Sequence, residues 1–439
     1  MKHNPGLNIT EYPCIISQVH VVASITGQCD CACGNVLIQE SVQSYTKLSM
    51  QSYSVTPHLV KYPLNSEYAT ELPQTLVAWL HVTDRCNLRC AYCYLPHTQA
   101  EMSLDTGKAA IEATMRSALR HGYREVKFKY AGGEPLLRFP LVKELHGYAR
   151  KLAEQHDLDL DGVVLSNGTL LTQAMVREMR DLGLRLMVSV DHFQTPGVSE
   201  NSGSLVQRIY PDGRDTAADA LRGVELALEG GLTPEITITV SGRNVAQLPE
   251  LLAYVLAQEL PFSLNFYREN TCSVCHEDLQ LDEGQFIESM LAAYKVIESN
   301  LPKRSLLTSL ADMANFTAPH LRRCSVGHSY LVVDPFGRVA KCQMQMDKPV
   351  TNIYTADPLA DLRVDTEGIQ NLVVDEKEEC RECQWKYWCA GGCPLETYRA
   401  TRRYDVKSPH CNIYKALYPE VLRLEGLRLL KYAEERERE

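Results

Sequence analysis

Between residues 75 and 270, six short apolar runs alternate with five longer amphipathic segments, and this alternation limits the fold more than any other feature. The runs are Thr75–Asp84 (TLVAWLHVTD), Glu125–Tyr130 (EVKFKY), Gly162–Leu165 (GVVL), Arg185–Asp191 (RLMVSVD), Glu235–Ser241 (EITITVS) and Phe262–Tyr267 (FSLNFY). They are rich in β-branched and aromatic residues, as buried strands are. Helical patterns fill Leu104–His121, Pro140–His156, Thr172–Gly183, Asp215–Gly230 and Val245–Gln258, with Thr172 as a start signal and Gly183 as a stop. Serial βα units imply an α/β fold: a parallel sheet with helices outside, closed or nearly closed into a barrel. In such barrels chemistry sits at the C-terminal strand ends.

The flanking segments read differently. Residues 1–74 are polar, with alternation such as Ile15–Ile25 (IISQVHVVASI), and predict a small β-rich N-terminal extension. Residues 75–300 form the barrel core. Residues 301–439 are loop-rich, hold seven cysteines and close with a strongly charged helix ending AEERERE. The net charge of −10, from 45 basic and 55 acidic residues, argues against a nucleic-acid partner. The N-terminus lacks an apolar signal-type core and no apolar run reaches 18 residues, so the reading is cytoplasmic, with no membrane association. Sixteen cysteines in a reducing compartment favour metal or redox roles over disulfides.

Three of them form Cys86-x3-Cys90-x2-Cys93, on the loop leaving the C-terminal end of the first strand. By chance such a triplet would arise somewhere among sixteen starts about 2% of the time. A closed tetrahedral site needs a fourth ligand, so zinc would recruit His81 or His97. An iron–sulfur cluster would instead keep one iron open. Other polar groups end neighbouring strands. Gly132-Gly133-Glu134-Pro135 is either an ordinary turn or a place where backbone approaches a ligand. Ser166-Asn167-Gly168-Thr169 and Ser189-Val190-Asp191 are either caps of the next helices or ligand contacts. A second array runs Cys324-x12-Gly337-x4-Cys342, Cys380-x2-Cys383-x5-Cys389-x3-Cys393, then Cys411, and reads as a zinc ribbon or as iron–sulfur ligands.

The spacing C-x3-C-x-Φ-C, with Tyr92 as Φ, together with GGEP, resembles the radical S-adenosylmethionine (SAM) enzymes over residues 76–270. The resemblance implies a partial (β/α)6 TIM-type barrel in which Cys86, Cys90 and Cys93 hold a [4Fe–4S] cluster. The open iron is chelated by SAM. Tyr92, Gly132, Gly133, Glu134, Ser166, Asn167 and Ser189 are then cofactor-binding residues, with Glu134 taking the methionyl ammonium. Asp191 is a catalytic candidate, although His192 stands where the family often has glycine. Reductive cleavage of SAM gives a 5′-deoxyadenosyl radical, which takes a hydrogen atom from the substrate. The second array resembles the SPASM extension of these enzymes, which implies two auxiliary [4Fe–4S] clusters and three in all. Cys380, Cys383, Cys389 and Cys411 hold the outer one, and Cys324, Cys342 and Cys393 the inner one. For the eighth ligand, either Cys272 or Cys275 reaches in from the loop after the sixth strand, or one iron stays open. Arg268, at the barrel mouth, either pairs with a carboxylate of SAM or substrate or bridges the two domains. Cys14, Cys29, Cys31 and Cys33 match no pattern.

SPASM members mostly modify peptides or proteins. The implied function is a maturase that installs a crosslink or related C–H functionalisation in a ribosomal precursor peptide, with residues 1–74 recognising the precursor. A flavodoxin- or ferredoxin-type protein would supply electrons. The alternatives are an anaerobic sulfatase-maturing, formylglycine-forming enzyme and, from another class, a zinc-stabilised binding protein without turnover.

Overall fold

A computed structural model describes residues 74–193, 206–270, 273 and 276–438. The β-rich reading of residues 1–73, and Cys14, Cys29, Cys31, Cys33, Cys272 and Cys275, lie outside the described residues. The core runs β1 (Thr75–His81), α1 (Leu104–Arg120), β2 (Glu125–Ala131), α2 (Phe139–His156), β3 (Asp159–Ser166), α3 (Gln173–Leu182), β4 (Arg185–Ser189), α4 (Ala217–Glu229), β5 (Glu235–Val240), α5 (Leu248–Ala257) and β6 (Phe262–Phe266). Each expected strand and helix is present. The ends follow local chemistry: the Thr172 side chain accepts from Met175 N at 3.3 Å to start α3, and Gly183 ends it at φ +71°. Then come α6 (Glu283–Ser299), β7 (Tyr330–Val333), β8 (Arg338–Ala340), β9 (Thr351–Asn352), α7 (Pro358–Val364), α8 (Lys386–Cys389), α9 (Pro394–Thr401) and α10 (Cys411–Arg438).

All nine strands share one sheet in the order β6-β5-β4-β3-β2-β1-β7-β8-β9, with β1 to β6 parallel. The sheet is open, as a partial barrel is: β6 does not pair with β1. Instead β7 lies parallel to β1, from Val77↔Tyr330 to Leu80↔Val333, and takes the backbone groups that closure would need. The C-terminal segment thus completes the edge beside the cysteine loop.

The sheet has two unlike faces. Val126, Phe128, Tyr130, Ile236, Ile238, Val240, Phe262, Leu264 and Phe266 are buried, and Phe266 meets Phe286 of α6 edge-on with ring centroids 4.8 Å apart. Alternate positions are polar and half-buried: Lys127 and Lys129 on β2, Thr237 and Thr239 on β5, Ser263 and Asn265 on β6. Across this face Lys127 pairs with Asp161 at 3.0 Å. Val77, Trp79, Val163, Leu165 and Met187 lie on the same face, which is therefore mixed, whereas a parallel sheet is normally apolar on both faces. No helix of the described residues is long and apolar enough to cross a membrane.

Candidate active site and thiol sets

The Cys86–Cys93 loop is held by the tips of β2 and β3. After β1, Val82 N donates to Ala131 O at 2.8 Å, Gly133 N to Thr83 O at 2.6 Å and Glu134 N to Arg85 O at 2.8 Å. A Cβ at Gly132 would lie 2.4 Å from Thr83 O, and one at Gly133 2.3 Å from Arg85 O. What approaches these glycines is the chain's own loop, so they set where Cys86 emerges. From β3, Asn167 Nδ2 donates to Asn87 Oδ1 at 2.9 Å, while Asn87 Nδ2 donates to Thr169 Oγ1 at 2.8 Å. The capping alternative for Ser166 and Asn167 does not hold, since Thr172 caps α3. A third support is the Gln207–Ile209 backbone: Arg89 N donates to Ile209 O at 2.7 Å and Ala91 N to Gln207 O at 2.8 Å.

Two opposite charges flank this loop. Glu134 is fully buried; its Oε1 accepts from Leu136 N and Ser166 Oγ, each at 2.9 Å, and its Oε2 from Asn167 N at 2.8 Å. Burial nevertheless raises its carboxyl above the ordinary Glu range. The carboxylate is oriented but short of positive charge. The Arg208 guanidinium donates to the Tyr92 hydroxyl, sits 5.9 Å over that ring and lies 3.5 Å from Asp191 Oδ2. Asp191 is buried, accepts from Tyr92 OH at 2.6 Å and Thr239 N at 2.8 Å, and so ties the loop to β5. Ser189 Oγ lies 3.1 Å from Thr237 Oγ1. Sequence reasoning missed Arg208; its only signal is a basic residue in the polar stretch after β4.

Burial pushes the Cys86 thiol up to about 12, with Glu134, Cys90 and Cys93 adding repulsion, and raises Cys90 too. Such thiols ionise when a metal displaces their protons.

The C-terminal cysteines gather in the two expected groups. Cys380, Cys383, Cys389 and Cys411 line one cavity with about 370 Å³ of space, part of it open solvent. Cys324, Cys342 and Cys393 pack with Trp79, Val332 and Leu395 beside β1 and β7. Burial lifts Cys342 to about 12, and Cys324 and Cys380 to about 11. Among the described residues, no three His, Cys, Asp or Glu side chains are drawn together around a single-ion site. Of the proposed zinc partners, His81 is engaged by Asp84 at 2.9 Å.

Arg268 takes the bridging alternative. Its Nη2 lies 2.8 and 2.9 Å from the two Asp312 oxygens, and Tyr414 OH donates to Asp312 Oδ2 at 2.8 Å. The arginine at the cysteine loop is Arg208, not Arg268.

The chain is similar to known proteins. Residues 80–255 match the family model described as the radical SAM superfamily. The Fe-coproporphyrin III synthase of Methanosarcina barkeri is 28% identical over 377 residues, covering 77% of this chain and 88% of that protein. The serine-type anaerobic sulfatase-maturating enzyme of Klebsiella aerogenes is 26% identical over 333 residues, covering 70% and 77%. Among solved structures, anSMEcpe with bound AdoMet and Cp18Cys peptide aligns with a TM-score of 0.63 at 19% identity, over 83% of this chain and 100% of that one. Streptococcus suis SuiB bound to its precursor peptide SuiA aligns at 0.53 and 14%, over 91% and 87%. At those identities the structures establish the fold alone. The family match, the shared fold and the cysteine loop braced by GGEP lead to one conclusion: residues 80–255 form a radical SAM domain, and the protein is an enzyme that acts through radical chemistry.

Proposed function

We propose that this enzyme is a maturase that uses SAM to install a crosslink or related C–H functionalisation in a ribosomally made precursor peptide. A radical SAM domain implies a [4Fe–4S] cluster and SAM, and sets aside the zinc-stabilised, non-catalytic alternative. The observation that carries SAM use is the pair Glu134 and Arg208, a buried carboxylate and a buried guanidinium on either side of one thiol loop. An amino-acid group carries the complementary ammonium and carboxylate. The donor set fits.

In this reading Cys86, Cys90 and Cys93 hold the cluster, Glu134 takes the ammonium and Arg208 the carboxylate. When bound, the cluster and SAM together supply one-electron cleavage of the sulfonium and a 5′-deoxyadenosyl radical. The chain's own work is placement. Ser166 and Asn167 aim Glu134; Gly132 and Gly133 bring the β2 tip onto the loop; Tyr92 and Asp191 hold Arg208. With its two oxygens engaged, Asp191 acts as a positioning residue, and Ser189 lies on the mixed face where substrate would pass. The C-terminal thiols hold two auxiliary clusters, with Cys272 or Cys275 as the eighth ligand. Residues 1–74 form the precursor-recognition unit, 75–300 the radical SAM core and 301–439 the SPASM domain. A flavodoxin- or ferredoxin-type donor supplies electrons, and the enzyme is cytoplasmic.

The peptide substrate is supported by the Klebsiella relative, named for maturing a sulfatase, and by structural neighbours with peptides bound. That relative also favours a second reading, formylglycine formation. One assay separates them. Reconstituted enzyme is given SAM and dithionite with either a peptide encoded beside its gene or a sulfatase-derived peptide containing Ser or Cys. Loss of hydrogen masses with a new crosslink in the first supports maturation. Aldehyde formation in the second alone supports the other reading, and turnover of neither contradicts both.

A further inference from the structure

Two cations lie buried between the C-terminal thiol groups. Lys377 is 0% exposed, and among the described residues its ammonium has one hydrogen bond, to Ala390 O at 3.2 Å. It lies within electrostatic range of Cys380 and Cys389 of the outer group and of Cys324 and Cys393 of the inner one. Its path is built into the backbone. Gly391, at φ +76°, passes so close that a Cβ there would lie 2.5 Å from Lys377 Cδ. Arg323 is 5% exposed and sits beside Cys324 in the chain. Its Nη1 donates to Cys389 O at 3.2 Å, and its buried Nε has no hydrogen-bond partner among the described residues.

The nearby acid does not balance them. Asp312 lies 3.8 Å from Arg323 Nη2, but it also serves Arg268 at 2.8 Å. A second buried carboxylate, Glu396, also acts on Arg268 but is engaged by His410 at 2.8 Å, so two arginines and a lysine against two carboxylates still leave a buried surplus of positive charge, which is unfavourable unless anions stand beside it. The thiols around them are the remaining candidates. Ligated as two clusters, they would carry negative charge, increased by one on each reduction.

We infer that Lys377 and Arg323 form a shared buried counter-charge that raises the reduction potentials of the two auxiliary clusters together. This rests on the auxiliary-cluster reading above. A cation beside a cluster favours the reduced form, so removing it moves the potential negative. A residue with only a packing role would move neither.

The test uses full-length enzyme with Cys86, Cys90 and Cys93 replaced by Ala, so that only auxiliary clusters remain. Iron content and redox titration followed by electron paramagnetic resonance are compared with and without Lys377→Met. We expect unchanged iron and a negative shift of each cluster by about tenfold in the reduction equilibrium, ~59 mV. Arg323→Met should do the same, and it decides the matter if Lys377→Met loses iron. Unmoved potentials, a shift of one cluster alone, or iron loss from each variant with intact secondary structure overturns the inference. A parent protein without auxiliary iron contradicts the cluster reading itself, and is distinguished by its iron content.

Discussion

The thiols at the end of β1 and those of the C-terminal segment sit in opposite environments. The first group hangs on a loop pinned by side-chain and backbone hydrogen bonds from β2, β3 and Gln207–Ile209, with Glu134 and Arg208 on its flanks. The inner C-terminal group packs among Trp79, Val332 and Leu395, and the outer one lines a cavity with Trp385, Tyr414 and Tyr418. The contrast follows from what each must do. A cluster that binds a zwitterionic cofactor needs oriented charge and a polar rim. One that only stores or passes electrons needs no such rim, and its packing, nearby charge and solvent exposure set its potential.

Removing one set should leave the other, and this gives the largest expected effect. Replacing Cys380, Cys383 and Cys389 with Ala should lower iron by about four per chain. Cleavage of SAM under dithionite should continue in that variant. If 5′-deoxyadenosine formation vanished with the outer cysteines, the two regions would not be functionally separable as described.

The charged flanks come next. Glu134→Gln or Arg208→Met each removes a charge-assisted contact of about 1.5–3 kcal/mol, roughly ten- to a hundredfold in SAM affinity. Iron content should not change. Isothermal titration with SAM would show the loss, and full affinity in either variant would break the proposed match. The pH dependence has a definite sign. Burial raises the Glu134 pKa, and only the ionised form attracts an ammonium. SAM affinity should therefore fall with pH through that raised pKa, at a higher pH than a solvated Glu would give, and Glu134→Gln should lose this dependence.

A smaller effect is expected at Tyr92. Its hydroxyl only connects Arg208 to Asp191, so Tyr92→Phe should cost about 0.5–1.5 kcal/mol, roughly two- to tenfold in SAM affinity. A loss as large as that of Arg208→Met would make Tyr92 a direct ligand.

The same contrast explains what could be read from residues alone. Strands, helices and caps such as Thr172 and Gly183 depend on local chemistry, and they stand where their patterns put them. The Cys86–Cys93 triplet was legible because its spacing is local, whereas the grouping of Cys324 and Cys342 with Cys393, and of Cys411 with Cys380, came from the family resemblance. The extension of the sheet beyond β1 was not legible. Its cause is the pairing of Val77 with Tyr330, far apart in the chain, through β7 to β9, whose 4, 3 and 2 residues are too short to show a period. Arg208 was hidden for a related reason: its partner Tyr92 comes from the loop after β1, far from it in the chain, while Asp191 stands at the start of the same β4–α4 connection. Arg268 stood at the right edge by position, yet Asp312, in the C-terminal segment, engages it.

The central claim is that Cys86, Cys90 and Cys93 form the site where SAM is cleaved, independently of the C-terminal thiols. It is tested most directly by quantifying 5′-deoxyadenosine from reconstituted enzyme with dithionite and SAM, before and after replacing all three by Ala. We predict that the product disappears while about eight irons per chain remain. Undiminished product in the triple variant, or loss of all its iron, would contradict the account.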